Sequence, residues 1–235
     1  MHDDYTTQEI RIEWRMIFLY ALGLLAFSIA YALVLVWVPG AEDSQTFAAY
    51  GQLVYYAILA FVMVRACVGP LKRMLNRHRQ RKGYTLGMVL GGFFLMLGVS
   101  TIVGIIMREF GVTDPSGNQE SLEEMARSAW YNFLAVGLFG VLFAPVIEEL
   151  VFRKGVYGLI ERRTNATAAI LLSAFLFGGI HMLSGFSHAL ELLPYVSMGV
   201  VFGIIYKMTE RRLDIVIGMH MLWNLFVVGV MLFGI

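Results

Sequence analysis

Long apolar runs separated by short polar segments dominate the sequence. Seven of these runs are about 20 residues long, which as α-helix at 1.5 Å per residue spans the roughly 30 Å hydrocarbon core of a bilayer. Backbone groups in lipid have to be hydrogen-bonded within the chain, so each run is predicted to be a helix. The predicted spans are residues 16–38, 46–68, 84–107, 129–150, 166–184, 192–208 and 213–234.

These spans predict an all-α fold, a polytopic membrane helical bundle of about seven transmembrane helices. A short amphipathic helix near 120–128 would bring the number to eight. No internal repeat or linker divides the sequence, so we expect one integral membrane domain over residues 1–235. Two small-residue motifs, Gly87-x-x-x-Gly91 and Gly199-x-x-x-Gly203, predict places where helices approach each other closely.

The composition supports a membrane protein. Hydrophobic residues make up 58% of the chain and charged residues 15%, whereas soluble domains are about 45–50% apolar and about 25% charged. This excludes a disordered chain and an ordinary cytosolic enzyme. The single cysteine, Cys67, excludes an intramolecular disulfide and a cysteine-based metal cluster. The net charge of +1 gives no reason to expect a nucleic-acid partner.

The basic residues are concentrated on one side of the predicted membrane. Sixteen of the 18 flank the spans on the side of the N-terminus, and only Arg108 and Arg127 lie on the other side. The positive-inside rule therefore predicts a cytoplasmic N-terminus and an extracytoplasmic C-terminus. We expect a prokaryotic plasma-membrane protein, since the sequence shows no targeting segment. The basic loop 69–83 is a candidate site for anionic lipid headgroups, and nothing indicates the oligomeric state.

A small set of polar residues interrupts the later spans, where ionisable groups are costly and are functional candidates by default. Glu149 and Arg153 are four residues apart on one helix face and are predicted to form an ion pair. Glu148 points about 100° away from Glu149 and has no partner on its own helix. An unpaired carboxylate in a low-dielectric cavity is suited to act as a general base.

Two histidines lie in the spans that follow. His181 comes four residues after Phe177 and is predicted to pack beside its ring, and His220 shares a helix face with Asn224. Counted from the cytoplasmic helix ends, Glu148, His181 and His220 lie roughly 20, 22 and 12 Å deep. These depths predict an active-site cavity that faces the cytoplasm.

These residues resemble the motifs of the CPBP (CAAX protease and bacteriocin-processing) family, also called the Abi or type II CAAX endopeptidase family. The family motifs are Glu-Glu-x-x-x-Arg, Phe-x-x-x-His and His-x-x-x-Asn, and they occur here in this order. Lys154 departs from the glycine that many members carry directly after the arginine. The resemblance implies an intramembrane endopeptidase with a catalytic core over about residues 129–230.

The resemblance also implies a role for each matched residue. Glu148 would deprotonate the attacking water, and His181 would orient it. His220 and Asn224 would donate hydrogen bonds to the developing oxyanion. The supporting residues would be Glu149, Arg153 and Phe177. The implied substrate is a membrane-associated or hydrophobic peptide, either a lipidated (prenylated CAAX-type) protein or a bacteriocin or pheromone peptide, and this mechanism requires no cofactor.

Three alternatives stay open. The first is a zinc-dependent form of the same protease, in which Glu148, His181 and His220 hold the metal and leave one position for water. The second is a transporter that uses the same groups as a proton or cation relay. The third is a noncatalytic bacteriocin self-immunity protein.

Overall fold

Helices form all the regular secondary structure of the computed structural model, which describes residues 2–41, 43–78, 82–113, 116–185 and 187–233. They are α1 (His2–Trp37), α2 (Gln45–His78), α3 (Lys82–Glu109), α4 (Gly117–Ser128), α5 (Trp130–Arg163), α6 (Ala166–His181), α7 (Leu192–Met208) and α8 (Leu213–Phe233). Single turns of 3₁₀-helix cover Met182–Ser184 and Ala189–Glu191. The described residues contain no strand, so the predicted all-α fold is confirmed.

Six helices in the described part of the chain are long and apolar enough to cross a membrane. The remaining predicted span corresponds to α6, whose 16 residues extend about 24 Å, less than the roughly 30 Å of hydrocarbon. Phe18, Phe61 and Phe94 are 65–67% exposed, which suits side chains that face lipid. The chain is an integral membrane protein, and the count of seven spans holds only if the shorter α6 is included.

Helix α5 is the central element and packs against α1, α2, α6 and α8. Its hydrogen bonding switches from α-helical to π-helical and back twice, because Phe139–Phe143 and Leu150–Tyr157 are π-helical while Ala144–Glu149 between them is α-helical. In the first π segment, the N–H of Ala144 donates to the carbonyl of Phe139, five residues earlier. Such segments are frequent at functional sites, and here they flank the two adjacent glutamates.

Glycine allows α6 and α7 to approach each other closely. A Cβ atom on Gly199 would lie 2.8 Å from Cα of Ala174, and one on Gly203 would also contact α6. The prediction for Gly199-x-x-x-Gly203 is therefore confirmed. A Cβ atom on Gly87 or Gly91 would meet no described atom within 4 Å, so the predicted close approach at that pair is wrong.

Ion pairs join α1 to α5 at the end of the bundle that carries most basic residues, which we call the basic end. The fully buried Glu13 accepts hydrogen bonds of 2.9 and 3.2 Å from Nε of Arg162. Arg162 also donates to Glu9 at 2.6 Å, and Nζ of Lys154 lies 3.7 Å from the same glutamate. No pattern in the sequence singles out Glu13, because its partner Arg162 lies 149 residues away in the chain.

Helix α4 lies at the opposite end of the bundle, which we call the α4 end. It confirms the short helix predicted near 120–128, and it starts earlier because Oγ of Ser116 accepts the N–H of Gln119 at 3.3 Å and caps it. Helix α4 buries Met125 and Ala126. It packs against α2, α5 and the turn Met182–Ser184 that follows α6.

Candidate active site

A cavity of about 350 Å³ separates α4 from the polar residues of α5, α6 and α8. Glu148, His181, His220 and Asn224 all line it. Glu149 is fully buried and does not line it, as expected if adjacent glutamates point to different sides of one helix. The structure thus brings together four polar residues that the sequence places on three separate spans.

The cavity lies in the half of the bundle next to α4. Its lining includes Asn118, Gln119 and Leu122 of α4, and no residue from the basic end. The prediction that the cavity faces the side of the N-terminus and the basic loops is wrong. Depths of roughly 20 and 22 Å, counted from one surface of a 30 Å core, leave Glu148 and His181 only about 10 and 8 Å from the other surface.

The predicted ion pair between Glu149 and Arg153 is confirmed. Nε of Arg153 donates to Oε2 of Glu149 at 2.9 Å, and Nη1 donates to Oγ of Ser173 on α6 at 3.1 Å. Nη2 has no hydrogen-bond partner among the described residues. The guanidinium lies 5.7 and 5.9 Å from the ring centroids of Phe177 and Phe202, so the faces of two aromatic rings partly compensate its burial.

His220 lies between the two glutamates. Its Nδ1 lies 3.1 Å from Oε1 of Glu149, and its Nε2 lies 3.7 Å from Oε2 of Glu148, which is too long for a hydrogen bond. Both oxygens of Glu149 are therefore engaged, one by Arg153 and one by His220. No protein group within the described ranges donates a hydrogen bond to Glu148, which keeps its carboxylate available to the cavity.

His181 is held in one tautomer by the backbone. Its Nδ1 lies 2.7 Å from the carbonyl oxygen of Phe177, and because a carbonyl only accepts, Nδ1 is the donor. In the neutral ring, Nε2 then carries the lone pair and accepts hydrogen bonds. The ring centroid lies 4.8 Å from that of Phe177, so the predicted packing of these two rings is confirmed.

Tyr195, near the start of α7, is a site residue that sequence analysis missed. Its ring stacks on that of His181, with centroids 4.3 Å apart and planes 19° from parallel. It also lines the cavity. A single tyrosine in an apolar span matches no helical spacing or charge pattern, so the sequence offered no signal for this contact.

Asn224 faces the cavity on α8, one helical turn after His220, as predicted. Its Nδ2 donates a hydrogen bond of 2.7 Å to the carbonyl oxygen of Gly140 in the first π segment of α5. One N–H of the amide is therefore used within the protein, and the second remains for a ligand.

The zinc alternative requires three ligands that converge on one point. Among the residues that the structure describes, no three His, Cys, Asp or Glu side chains are placed to hold a metal ion. Glu148, His181 and His220 share a cavity and do not form such a group.

Comparison with known proteins identifies relatives of this chain. Residues 130–226 match the family model described as "Type II CAAX prenyl endopeptidase Rce1-like". The putative membrane peptidase YdiL of Bacillus subtilis is 27% identical over 175 residues, which cover 74% of this chain and 68% of the relative. The membrane-embedded CAAX protease MroQ of Staphylococcus aureus is 29% identical over 185 residues, 76% of this chain and 72% of the relative. No solved structure matches the chain.

The matched region contains the whole candidate site, from Glu148 on α5 to Asn224 on α8. Helices α1 to α4 precede it, and α1, α2 and α4 complete the cavity from outside the match. Both relatives are bacterial membrane proteins by name and source, in agreement with the expected prokaryotic membrane protein. Residues 130–226 of this chain therefore match an Rce1-like domain of the type II CAAX prenyl endopeptidase family.

Proposed function

We propose that the protein is an intramembrane endopeptidase that hydrolyses a peptide bond with a water molecule activated by Glu148 and His181. One observation carries the proposal. The unengaged carboxylate of Glu148 and the imidazole of His181, whose Nε2 is an acceptor, line a single cavity in a domain of an endopeptidase family.

Glu148 acts as the general base because it is the glutamate that remains free. Both oxygens of Glu149 are used by Arg153 and His220, whereas the Glu148 side chain is 12% exposed and lines the cavity. Glu148 takes a proton from the attacking water and returns it to the leaving amine. Nε2 of His181 accepts a hydrogen bond from the other O–H of the water. This bond orients the lone pair of the water oxygen towards the substrate carbonyl.

His220 and Asn224 stabilise the oxyanion of the tetrahedral intermediate. Nδ1 of His220 is engaged with Glu149, so donation from Nε2 requires the doubly protonated imidazolium. The second N–H of the Asn224 amide supplies the other donor. Preorganised donors of this kind contribute most where charge develops in the transition state.

The cavity suits a hydrophobic peptide with a polar backbone. Apolar side chains such as Phe27, Leu122 and Trp223 form most of its wall, while Gln52 and Asn118 add amide groups able to pair with a peptide bond. We propose a membrane-associated peptide or lipidated protein as substrate, of the prenylated CAAX type or a bacteriocin or pheromone peptide. The relative MroQ is named a CAAX protease.

The basic segment 69–83 is proposed to contact anionic lipid headgroups. It was predicted as a loop, but it consists of the end of α2 and the start of α3, and residues 79–81 lie outside the described residues. The proposal depends on the charge of this segment.

Comparative membrane peptidomics tests the proposed activity. Cells that produce the wild type, Glu148→Ala or Glu148→Gln are compared, with Glu109→Gln as a matched control because this exposed glutamate ends α3 outside the cavity. We expect a peptide to accumulate uncleaved in both Glu148 variants and not in the control. Cleavage that survives in Glu148→Ala overturns the assigned base.

The same variants separate the remaining alternatives. Identical peptide profiles for the wild type and the Glu148 variants, together with ion flux through the wild type in proteoliposomes, would indicate the transporter. A self-immunity phenotype that persists when Glu148, His181, His220 and Asn224 are all substituted would indicate the noncatalytic protein.

A further inference from the structure

We infer that Tyr195 is a positioning residue that couples α4 to His181, so that the catalytic histidine is correctly oriented only while α4 is in place. The inference rests on the proposed function, in which Nε2 of His181 orients the attacking water. It assigns a role to a residue outside the three family motifs and to a helix outside the family match.

The ring of Tyr195 sets the plane of the His181 imidazole. His181 is the last residue of α6 and precedes a single 3₁₀ turn. Its hydrogen bond to the Phe177 carbonyl fixes the position of Nδ1 but leaves rotation of the ring about that contact. The parallel stack at 4.3 Å with Tyr195, together with the Phe177 ring at 4.8 Å, restricts this rotation and so determines where Nε2 points.

The hydroxyl of Tyr195 is bound to the start of α4. It lies 2.7 Å from Oγ of Ser116, the N-cap of that helix, and Nδ2 of Asn118 donates to it at 3.3 Å. The hydroxyl of Tyr195 thus holds the start of α4 at two points, Ser116 and Asn118.

These hydroxyl bonds matter because packing alone does not hold the tyrosine ring. Tyr195 lines the catalytic cavity and also a second cavity of about 310 Å³ bounded by Ser100 and Met107 of α3. A ring between two cavities has room to rotate when its hydroxyl is released. A displacement of α4 that breaks the bonds to Ser116 and Asn118 therefore frees both Tyr195 and His181.

Helix α4 is placed to respond to substrate. Asn118, Gln119 and Leu122 form one wall of the catalytic cavity, so a peptide in this cavity contacts the same helix that holds Tyr195. A substrate that seats α4 correctly keeps His181 oriented, and one that pushes α4 away disorients it. Tyr195 thereby links the fit of the substrate to the rate of the chemical step.

Steady-state kinetics on the identified peptide test the coupling. Tyr195→Phe keeps the stacked ring and removes the hydroxyl, and Ser116→Gly removes the partner of that hydroxyl with little loss of capping. We expect each to lower kcat on the order of 10-fold with a smaller effect on KM, since misplacement of a reacting group is costly in rate. The double variant should be no slower than Tyr195→Phe alone, because Tyr195→Phe already removes the contact with Ser116.

A spectroscopic measurement tests the inference without turnover. In a Glu148→Gln background, the ring Hε1 resonance of His181 is assigned by its loss in His181→Gln. We expect Tyr195→Leu to shift this resonance strongly through loss of the ring current, and Tyr195→Phe and Ser116→Gly to broaden or shift it. Tyr131→Phe, an exposed tyrosine at the same end of the bundle, is the control and should leave it unchanged.

The two measurements separate the two proposals. If no variant of Tyr195 or Ser116 moves the His181 resonance, or if the losses in kcat simply add, the coupling is wrong even when the enzyme cleaves peptides. If the resonance shifts as expected but wild-type protein cleaves nothing, the coupling stands and the proposed protease function fails.

Discussion

The side-chain amide of Asn224 hydrogen-bonds to the carbonyl of Gly140 at 2.7 Å, and this bond replaces one that the backbone cannot make. In the π register of Phe139–Phe143, the N–H of Ala144 pairs with the carbonyl of Phe139. The next carbonyl, that of Gly140, would pair with residue 145, and Pro145 has no N–H. Asn224 therefore fastens α8 to α5 close to Glu148, in addition to the oxyanion role proposed for its second N–H.

Removal of the Asn224 amide should weaken folding as well as catalysis. Asn224→Ala leaves the Gly140 carbonyl unpaired, and we expect the free energy of unfolding to fall by about 1–3 kcal/mol, measured by unfolding in detergent. Thr101→Val, which removes an exposed bond within α3, is the control and should change little. Lost activity at unchanged stability would mean that the bond to Gly140 contributes nothing.

Removing one partner of the buried pair Glu149 and Arg153 should cost more stability than removing the charges of both. Arg153→Met leaves a buried carboxylate without its cation, and we expect a loss of about 3–5 kcal/mol in unfolding free energy. The double variant Glu149→Gln with Arg153→Met should recover a large part of this stability, because it leaves no uncompensated charge. Losses that add up in the double-mutant cycle would contradict this account.

The contact between α1 and α5 depends on the absence of a side chain at Gly158. A Cβ atom there would lie 2.6 Å from Oε1 of Glu13, so Gly158→Ala has to displace the partner of Arg162. We expect the free energy of unfolding to fall by about 1–3 kcal/mol, as measured by thermal unfolding. Gly98→Ala on α3 is the matched control, since a Cβ there meets no described atom within 4 Å. It should be neutral or raise stability by about 0.5–1 kcal/mol, and equal losses in the two variants would refute the role of Gly158.

Within the candidate site, contacts inside one helix could be predicted from the sequence, and contacts between helices could not. The spacing of four residues is enough to pair Glu149 with Arg153, because the helix geometry alone decides that contact. The partners Tyr195 for His181 and Gly140 for Asn224 depend on how neighbouring helices are rotated and offset. Apolar spans that face lipid on one side and protein on the other do not reveal this rotation.

The prediction that the cavity faces the side of the N-terminus was wrong for a related reason. Distances along the helices from the basic end were sound for Glu148 and His181, but a position more than halfway through a membrane is accessible from either surface. Only α4, which covers the cavity with Leu122 and its neighbours, shows which end is concerned. The sequence predicted α4 as a short amphipathic helix, and its contact with the site came from tertiary packing alone.

The side of the membrane that the cavity faces is testable by cysteine labelling. The positive-inside rule places the basic end in the cytoplasm, so we expect Glu124→Cys on α4 to react with an impermeant maleimide on intact cells. Lys207→Cys at the basic end should react only after permeabilisation, and both positions are exposed. Wild type, with only the buried Cys67, gives the background. The reverse pattern would place the cavity on the cytoplasmic side and contradict the predicted topology.

Catalysis by Glu148 and His181 should not depend on a metal ion. We expect purified active protein to contain far less than one zinc per chain and to keep its activity through a titration with chelator. Elemental analysis and peptide cleavage are measured on the same sample. Stoichiometric zinc, with activity that chelation removes and zinc restores, would favour the alternative in which Glu148, His181 and His220 are ligands.

Because of its two π segments, the number of residues in α5 determines which of its side chains face the cavity. A helix turns by about 100° per residue, so deletion of one residue within Phe139–Phe143 would rotate Trp130–Leu138 by that angle relative to the glutamates. The side chains that this half presents to the cavity, such as Val136, would then face elsewhere. Surface loops of this protein should accept insertions and deletions. The segment of α5 between Trp130 and Glu148 should accept none, because its length sets how its two ends are rotated relative to each other.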